Sequence, residues 1–381
     1  MSKPLSGILV LDFTQFLSGP SATLRLHDLG ARVIKVEHHK NGDLSRSIYA
    51  NAFDIENESA FFQAINRGKE SLRANLKDEK DLALITQIIK HADVVVNNFR
   101  PGVMTRLGLS FEDVAAVNPT IIYAEITGYG KEGPWANMPG QDLLLQAVSG
   151  LSQLSGADSD GHVPMGLAIA DYLAGAQLVQ GILAALLNDE ATQVEVSMLE
   201  AILDFQFEPL TLYYQDKQAV VRGENNTAHS LVGAPYGLYK TADGYIALAM
   251  GAIVTLGELL DCKPLLAFTD PSTWFSKRDS IKTILAEHLV AQTSAYWLNI
   301  LEPADIWCAD VLNWQDLLAH DGFKVLNMVQ TVSNIHNGKQ VNYKTLRCPI
   351  RIDDKLLKST LAAPSFGQHS VDIAAEFSSH S

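Results

Sequence analysis

Cysteine is scarce in this chain of 381 residues: Cys262, Cys308 and Cys348 are the whole complement. They lie far apart, show no CxxC spacing and are too few for a disulfide framework, which points to a reducing compartment and to no metal site. Positive charge is also in deficit, with 29 Lys and Arg against 43 Asp and Glu, a formal net charge of -14. No long basic run offsets that field. Nucleic acid and anionic membrane surfaces are therefore poor partners, and a polyanionic ligand needs a local cluster of Lys and Arg. The start MSKPLSGILVLDF lacks the apolar core and cleavage site of a secretory signal, so the reading is a cytoplasmic protein. A dinucleotide fingerprint is missing too. The turn after the first apolar run reads SGPSAT, not GxGxxG, and without those glycines Glu37 does not read as a ribose-binding acid.

What is present is a regular alternation of strand and helix signals. ILVLDF (8–13), a helix from Ala22 to Leu29 closed by Gly30, and ARVIKVE (31–37) make a βαβ unit, hence a parallel sheet. An amphipathic helix across 76–93 leads into Val94–Val96. A helix at 109–118, the apolar run TIIYAEIT and, further on, TQVEVSM (192–198) continue the pattern. The fold class is α/β: a large domain with an open, mainly parallel, Rossmann-like sheet, plus a smaller α+β domain. A chain of this length favours two domains. The large domain is placed at 1–219 and the small one at 220–320, where a hairpin turns on Ala242, Asp243 and Gly244. Residues 321–381 return to the large domain. Ligands of open α/β sheets bind outside the carboxyl ends of strands, which draws attention to Asn98, Arg100 and Gly102 after the third strand of the series.

The most apolar stretch runs from Pro164 to Leu187. It is long enough to span a bilayer, but Asp171, Gln177 and Gln180 inside it favour a helix buried on nearly all faces of a soluble protein. Asp171, near the start, reads either as a helix cap or as a carboxylate nucleophile. The two roles are compatible.

Taken together, several loops resemble the family III CoA-transferases (the CaiB/BaiF family), a group that includes formyl-CoA transferase, carnitine CoA-transferase and the α-methylacyl-CoA racemases. The matching stretches are PLSGILVLDFTQFLSGP, LGARVIKVE with GDLSR, NRGKESL, NNFRPG with Arg106, GYGKEGP, QDLLLQAVSGL, GLAIADYLAG and GLYKTADGYIAL, in family order over roughly the first 250 residues. The resemblance implies that Asp171 is the catalytic nucleophile, passing through an aspartyl anhydride and an aspartyl-CoA thioester as CoA moves from an acyl-CoA to a carboxylic acid. Coenzyme A is then a cosubstrate, with no permanently bound cofactor. Gln15, Lys69, Asn98, Arg100 and Arg106 are implied contacts for CoA, with Arg46 a further candidate. Leu17, Gly128, Gly130 and Gln141 are placed near the substrate and its oxyanions. An interlocked homodimer is implied as well.

The departures matter. Racemases carry His where this chain has Gln141, and a neutral amide cannot shuttle an α-proton, so transferase is favoured over racemase. The alternatives are a racemase or isomerase with a substitute base, a role that neither His162 nor His229 obviously fills, and a non-catalytic acyl-CoA-binding homologue. Residues 255–340 depart most from the family pattern, and the sequence names neither the acyl donor nor the acceptor acid.

Overall fold

The computed structural model describes residues 3–48, 54–55, 58–188, 190–217, 221–224, 228–336 and 339–378. The chain divides into two compact units. One comprises Met1–Leu145, Ala168–Phe205 and Val325–Ser381, the other Gln146–Leu167 and Gln206–Lys324. Residues 146–167 and 206–217, which the sequence assigns to the large domain, group with the second unit. The sequence boundary at 219 and 220 lies outside the described residues.

The first unit is built on six parallel strands: β1 (Leu9–Asp12), β2 (Arg32–His38), β3 (Glu70–Ala74), β4 (Val94–Asn97), β5 (Ile122–Thr127) and β6 (Thr192–Ser197). Their order is β3-β2-β1-β4-β5-β6. Strands β1, β4 and β5 are buried along their whole length, as continuous apolar runs covered on both faces must be. Edge strand β6 alternates between half-buried and exposed positions. The sequence gives no strand signal in NRGKESLRA. Polar Glu70 and Arg73 are tolerated there because β3 is the opposite edge.

Helices α1 (Ser18–Leu29), α2 (Ala60–Ile65), α3 (Glu79–Ile89), α4 (Val103–Arg106), α5 (Phe111–Val117), α6 (Asp142–Val148), α7 (Ile169–Ala185) and α8 (Met198–Phe205) follow in chain order. Helix α1 begins at Ser18 rather than Ala22. Pro20, read as a turn residue, sits in the first turn, where no N–H is required of it. Gly30 ends the helix at φ 119°, a left-handed C-cap. The C-terminal helix Ser370–Ser378 adds Ile373 and Phe377 to the core formed by Leu9, Leu11, Ile85 and Ile88.

The second unit holds β7 (Gly237–Lys240), β8 (Tyr245–Leu248) and β9 (Cys308–Asp310) in one antiparallel sheet. Its core is centred on Tyr239, Ile246, Leu285 and Trp297. Two helices, Arg278–Leu289 and Ser294–Leu301, form one stretch interrupted between them. Thr293 breaks it by capping the second through the Tyr296 N–H.

Helix α7 differs from the sequence expectation. Its buried residues, Ala170, Ala174, Gly175, Leu178, Val179, Ile182 and Ala185, form one stripe, while Tyr172 is 53% exposed. No described helix is long and apolar enough to cross a membrane. Small residues let the buried stripe lie close against α1. A Cβ on Gly175 would stand 2.4 Å from Ser21 Oγ and 2.6 Å from the Ser18 carbonyl oxygen, so the two backbones meet where only glycine fits.

Candidate active site

Strands β2 and β4 flank β1, and the chain leaves β1 and β4 into loops at their carboxyl ends. In this strand order that is the switch point at which open α/β sheets bind ligands. The loop after β1 is pinned from below by buried charge. Asp12 accepts from the Thr14 N–H at 2.9 Å, from the Thr23 hydroxyl at 2.7 Å and from Lys69 Nζ at 3.1 Å. Burial works against the Asp12 charge, but Lys69, Lys35 and the two threonine hydroxyls outweigh it and hold the carboxyl at about 2. Lys35 Nζ reaches Asp43 at 2.7 Å and the Thr14 carbonyl at 2.7 Å. Asp43 in turn accepts the N–H of Phe16, whose φ of 62° is unusual for a bulky residue. From the β4 side, Asn98 grips Gln15 twice: Oδ1 accepts the Gln15 N–H at 2.8 Å, and Nδ2 donates to the Gln15 carbonyl at 2.7 Å. The same Nδ2 donates to Ser18 Oγ at 3.3 Å.

The loop therefore delivers Ser18, the first residue of α1, in a fixed place. Leu17, the N-cap residue, offers no side-chain acceptor, so the first amides of the helix need one from elsewhere. Asp171 supplies it. It stands one turn before Gly175, where α7 presses on the Ser18 carbonyl, and the nearby Ser18 hydroxyl and N–H favour its charged form. The capping role expected of Asp171 in its own helix belongs to Asp142. Asp142 Oδ2 accepts from the N–H groups of Ala170 at 2.7 Å and Asp171 at 3.1 Å. Burial and the nearby Asp142 charge together raise the Asp171 carboxyl to about 6, with the Ser18 bonds opposing them.

Asp142 is set by a backbone contact. A Cβ on Gly128 would lie 2.6 Å from Gly140 Cα, so the loop after β5 presses directly on the residue two before Asp142. Gly130, at φ 87°, gives its N–H to Thr127 Oγ1 at 3.0 Å, which uses up the donor an oxyanion would need. The Gln141 side chain is exposed, and its carbonyl accepts the first amides of α6, from Leu144 and Leu145.

The structure does not bring every candidate to this place. Lys69 is fully buried, and its ammonium faces Asp12, the Pro20 carbonyl, Thr23 Oγ1 and Asn66 Oδ1 at 2.7 to 3.1 Å, which leaves no N–H for a phosphate. Arg46 lies over the Phe62 ring at 3.7 Å and holds Glu37 with two 2.7 Å bonds. Asn98 has both amide hydrogens engaged. Arg100 and Arg106 are exposed and, among the described residues, in no ion pair. Arg100 borders a cleft of about 290 Å³ that also meets Asn97, whose buried amide nitrogen has no partner among the described residues. His162 is exposed, and His229 stands 3.9 Å from Glu208. Among the described residues there is no group of three metal-ligating side chains. Sequence reasoning missed Ser18 and Asp142. Their partners lie 153 and 29 positions away, so no local spacing could have marked them.

With the geometry in place, comparison with known proteins is direct. The profile of CoA-transferase family III matches residues 5–370. The chain belongs to CoA-transferase family III. It is 34% identical over 314 residues to an acetyl-CoA:oxalate CoA-transferase of Acetobacter aceti, covering 80% of this chain and 79% of that one. It is 30% identical to the succinyl-CoA:glutarate CoA-transferase of Mus musculus, over 98% of this chain and 86% of the relative. Among solved structures, a CaiB/BaiF family protein from Brucella suis superposes with a TM-score of 0.84 at 27% identity, covering 99% of this chain and 100% of that one. This chain is thus a family III CoA-transferase, an enzyme whose substrates are an acyl-CoA and a carboxylic acid and whose cosubstrate is CoA.

If Lys69 is a core cation, Lys69→Met strands the buried Asp12 carboxylate and costs about 3 kcal/mol. Calorimetry should then show a clear drop in Tm, while the KM for the acyl-CoA in the folded fraction stays within about twofold of the parent. An unchanged Tm with a KM raised tenfold or more would restore Lys69 to the phosphate site.

Proposed function

We propose that Asp171 carries the transfer covalently. Its carboxylate oxygen attacks the thioester carbonyl of the acyl-CoA, the C–S bond breaks, and CoA leaves as the thiolate, leaving a mixed anhydride. The thiolate attacks the Asp171 carbonyl of that anhydride and releases the donor acid as its carboxylate, which gives an aspartyl-CoA thioester. The acceptor carboxylate attacks this thioester, and the expelled thiolate then attacks the acceptor's carbonyl in the second anhydride. The new acyl-CoA departs and Asp171 is regenerated. No proton is gained or lost across the cycle, so no titrating base is needed and the neutral Gln141 is no handicap.

The observation that carries this reading is the setting of Asp171. A carboxylate kept mostly out of water is a stronger nucleophile than a hydrated one, yet it must stay charged. A carboxyl near 6 satisfies both, because at pH 7 the anion dominates by about tenfold. Thiolate, with a parent thiol near a pKa of roughly 8.5, is a leaving group the carboxylate can displace. Arg100 and Arg106, exposed on the loop and helix after β4, are the cations we assign to the CoA phosphates. Oxalate and glutarate in the relatives' names support a small dicarboxylic acid as one partner.

We also propose a homodimer. Tyr172, Leu187 and Leu143 are 53%, 86% and 55% exposed on the first unit, more apolar surface than a helical layer leaves to water. Light scattering should give a mass near twice 41.6 kDa at micromolar concentration. A monomer under those conditions would contradict it.

Asp171→Asn keeps the size of the side chain and one acceptor oxygen but removes the nucleophile. Turnover with an active donor and acceptor pair should fall by at least about 10³-fold. In the parent enzyme, the reactive form is the anion. A raised pKa therefore puts the loss of kcat/KM in the window where pH falls through about 6, not near 4. Full turnover in Asp171→Asn would end the covalent reading.

A further inference from the structure

Ser18 stands at the meeting of two independent constraints. On one side, Asn98 Nδ2 donates to its hydroxyl oxygen at 3.3 Å while the rest of the Asn98 amide is locked onto the Gln15 backbone. On the other, Gly175 allows α7 to press against the Ser18 carbonyl and brings Asp171 within hydrogen-bond reach of the Ser18 hydroxyl and amide. Ser18 is 3% exposed, so water does not compete for these bonds. With its oxygen accepting from Asn98, the hydroxyl still has its proton to donate.

We propose that Ser18 is a positioning residue for CoA transfer: its hydroxyl and amide N–H hold the Asp171 carboxylate at one orientation, and Asn98 fixes Ser18 in turn. The proposal rests on the reading of Asp171 as nucleophile and adds what prepares it. A carboxylate held at one orientation presents a fixed face to the thioester. The α1 amide lends that grip the positive end of a twelve-residue helix. When Asp171 is acylated, its charge is lost and the helix terminus is free to stabilise the oxyanion that forms at the same carbon.

The electrostatic setting is simple enough for a clean test. Of the elements around α7, α6 presents Asp142, the one charge that acts on Asp171. On α1, Asp28 is paired with Arg25 and Arg67, and His27 lies against Gly68. Glu125 and Glu195 on β5 and β6 share Lys131. On α8, Glu200 takes the Ser197 hydroxyl, and Asp204 accepts from Gln177.

The experiment compares the full-length parent, Ser18→Ala, Ser18→Thr and Asn98→Ala. The first readout is the titration of the Asp171 carboxyl in the resting protein, followed by 13C NMR and assigned by its absence in Asp171→Asn. Ser18→Ala should move this titration upward by about one pH unit, and Asn98→Ala should move it in the same direction by less. The second readout is kinetic. At pH 7 kcat should fall about tenfold in Ser18→Ala with KM for the acyl-CoA unchanged. The deficit should narrow at pH 8.5, and Ser18→Thr, which keeps the hydroxyl, should recover most of the loss. An Asp171 titration identical in parent and Ser18→Ala overturns the proposal, as does a Ser18→Ala defect that appears in KM alone. Because the titration is read without turnover, it decides the role of Ser18 even if Asp171→Asn proves active and the covalent reading fails.

Discussion

The contact between the Asp171 carboxylate and the first turn of α1 is the constraint on which the rest of the site depends. It exists because Gly175 allows two helix backbones to touch, because the loop after β1 is held from below by Asp12, Lys35, Asp43 and Lys69, and because Asn98 holds it from the side. Two helix termini are capped across the fold, α7 by Asp142 and α1 by Asp171. Each acid thus does for another element what an N-cap residue ordinarily does for its own. Burial and Asp142 raise the Asp171 carboxyl to about 6, and Ser18 opposes them.

Buried charge around Asp12 has a separate function. The family resemblance implies that Lys69 is a CoA contact, while Lys35 lies inside β2, and both reach the loop regions around β1. In the fold they neutralise acids beneath those loops and thereby fix an unusual backbone at Phe16. These ion pairs hold the loop after β1 in place beneath Ser18.

The parallel sheet was legible in the chain because its central strands are mainly apolar runs, and Asp171 drew attention because a lone acid in the most apolar segment demands an account. Helix and hairpin signals around Gly30 and Ala242–Gly244 were local and read correctly. What could not be read was long-range. Pro20 gave a turn signal but belongs to a helical first turn, the polar β3 is an edge strand, and Ser18 and Asp142 gain their meaning from partners far away in the chain. A lysine in a loop motif reads as solvated or ligand-bound, and nothing in NRGKES tells that the Lys69 side chain turns into the core.

The central claim, that Asp171 becomes covalently acylated, is tested most directly by mixing the enzyme with an acyl-CoA donor, quenching with hydroxylamine and sequencing the peptide that bears Asp171 by mass spectrometry. The account predicts a hydroxamate at Asp171 that appears only when acyl-CoA is present. A turning-over enzyme that yields no modified Asp171, or that carries the hydroxamate on another residue, would contradict it.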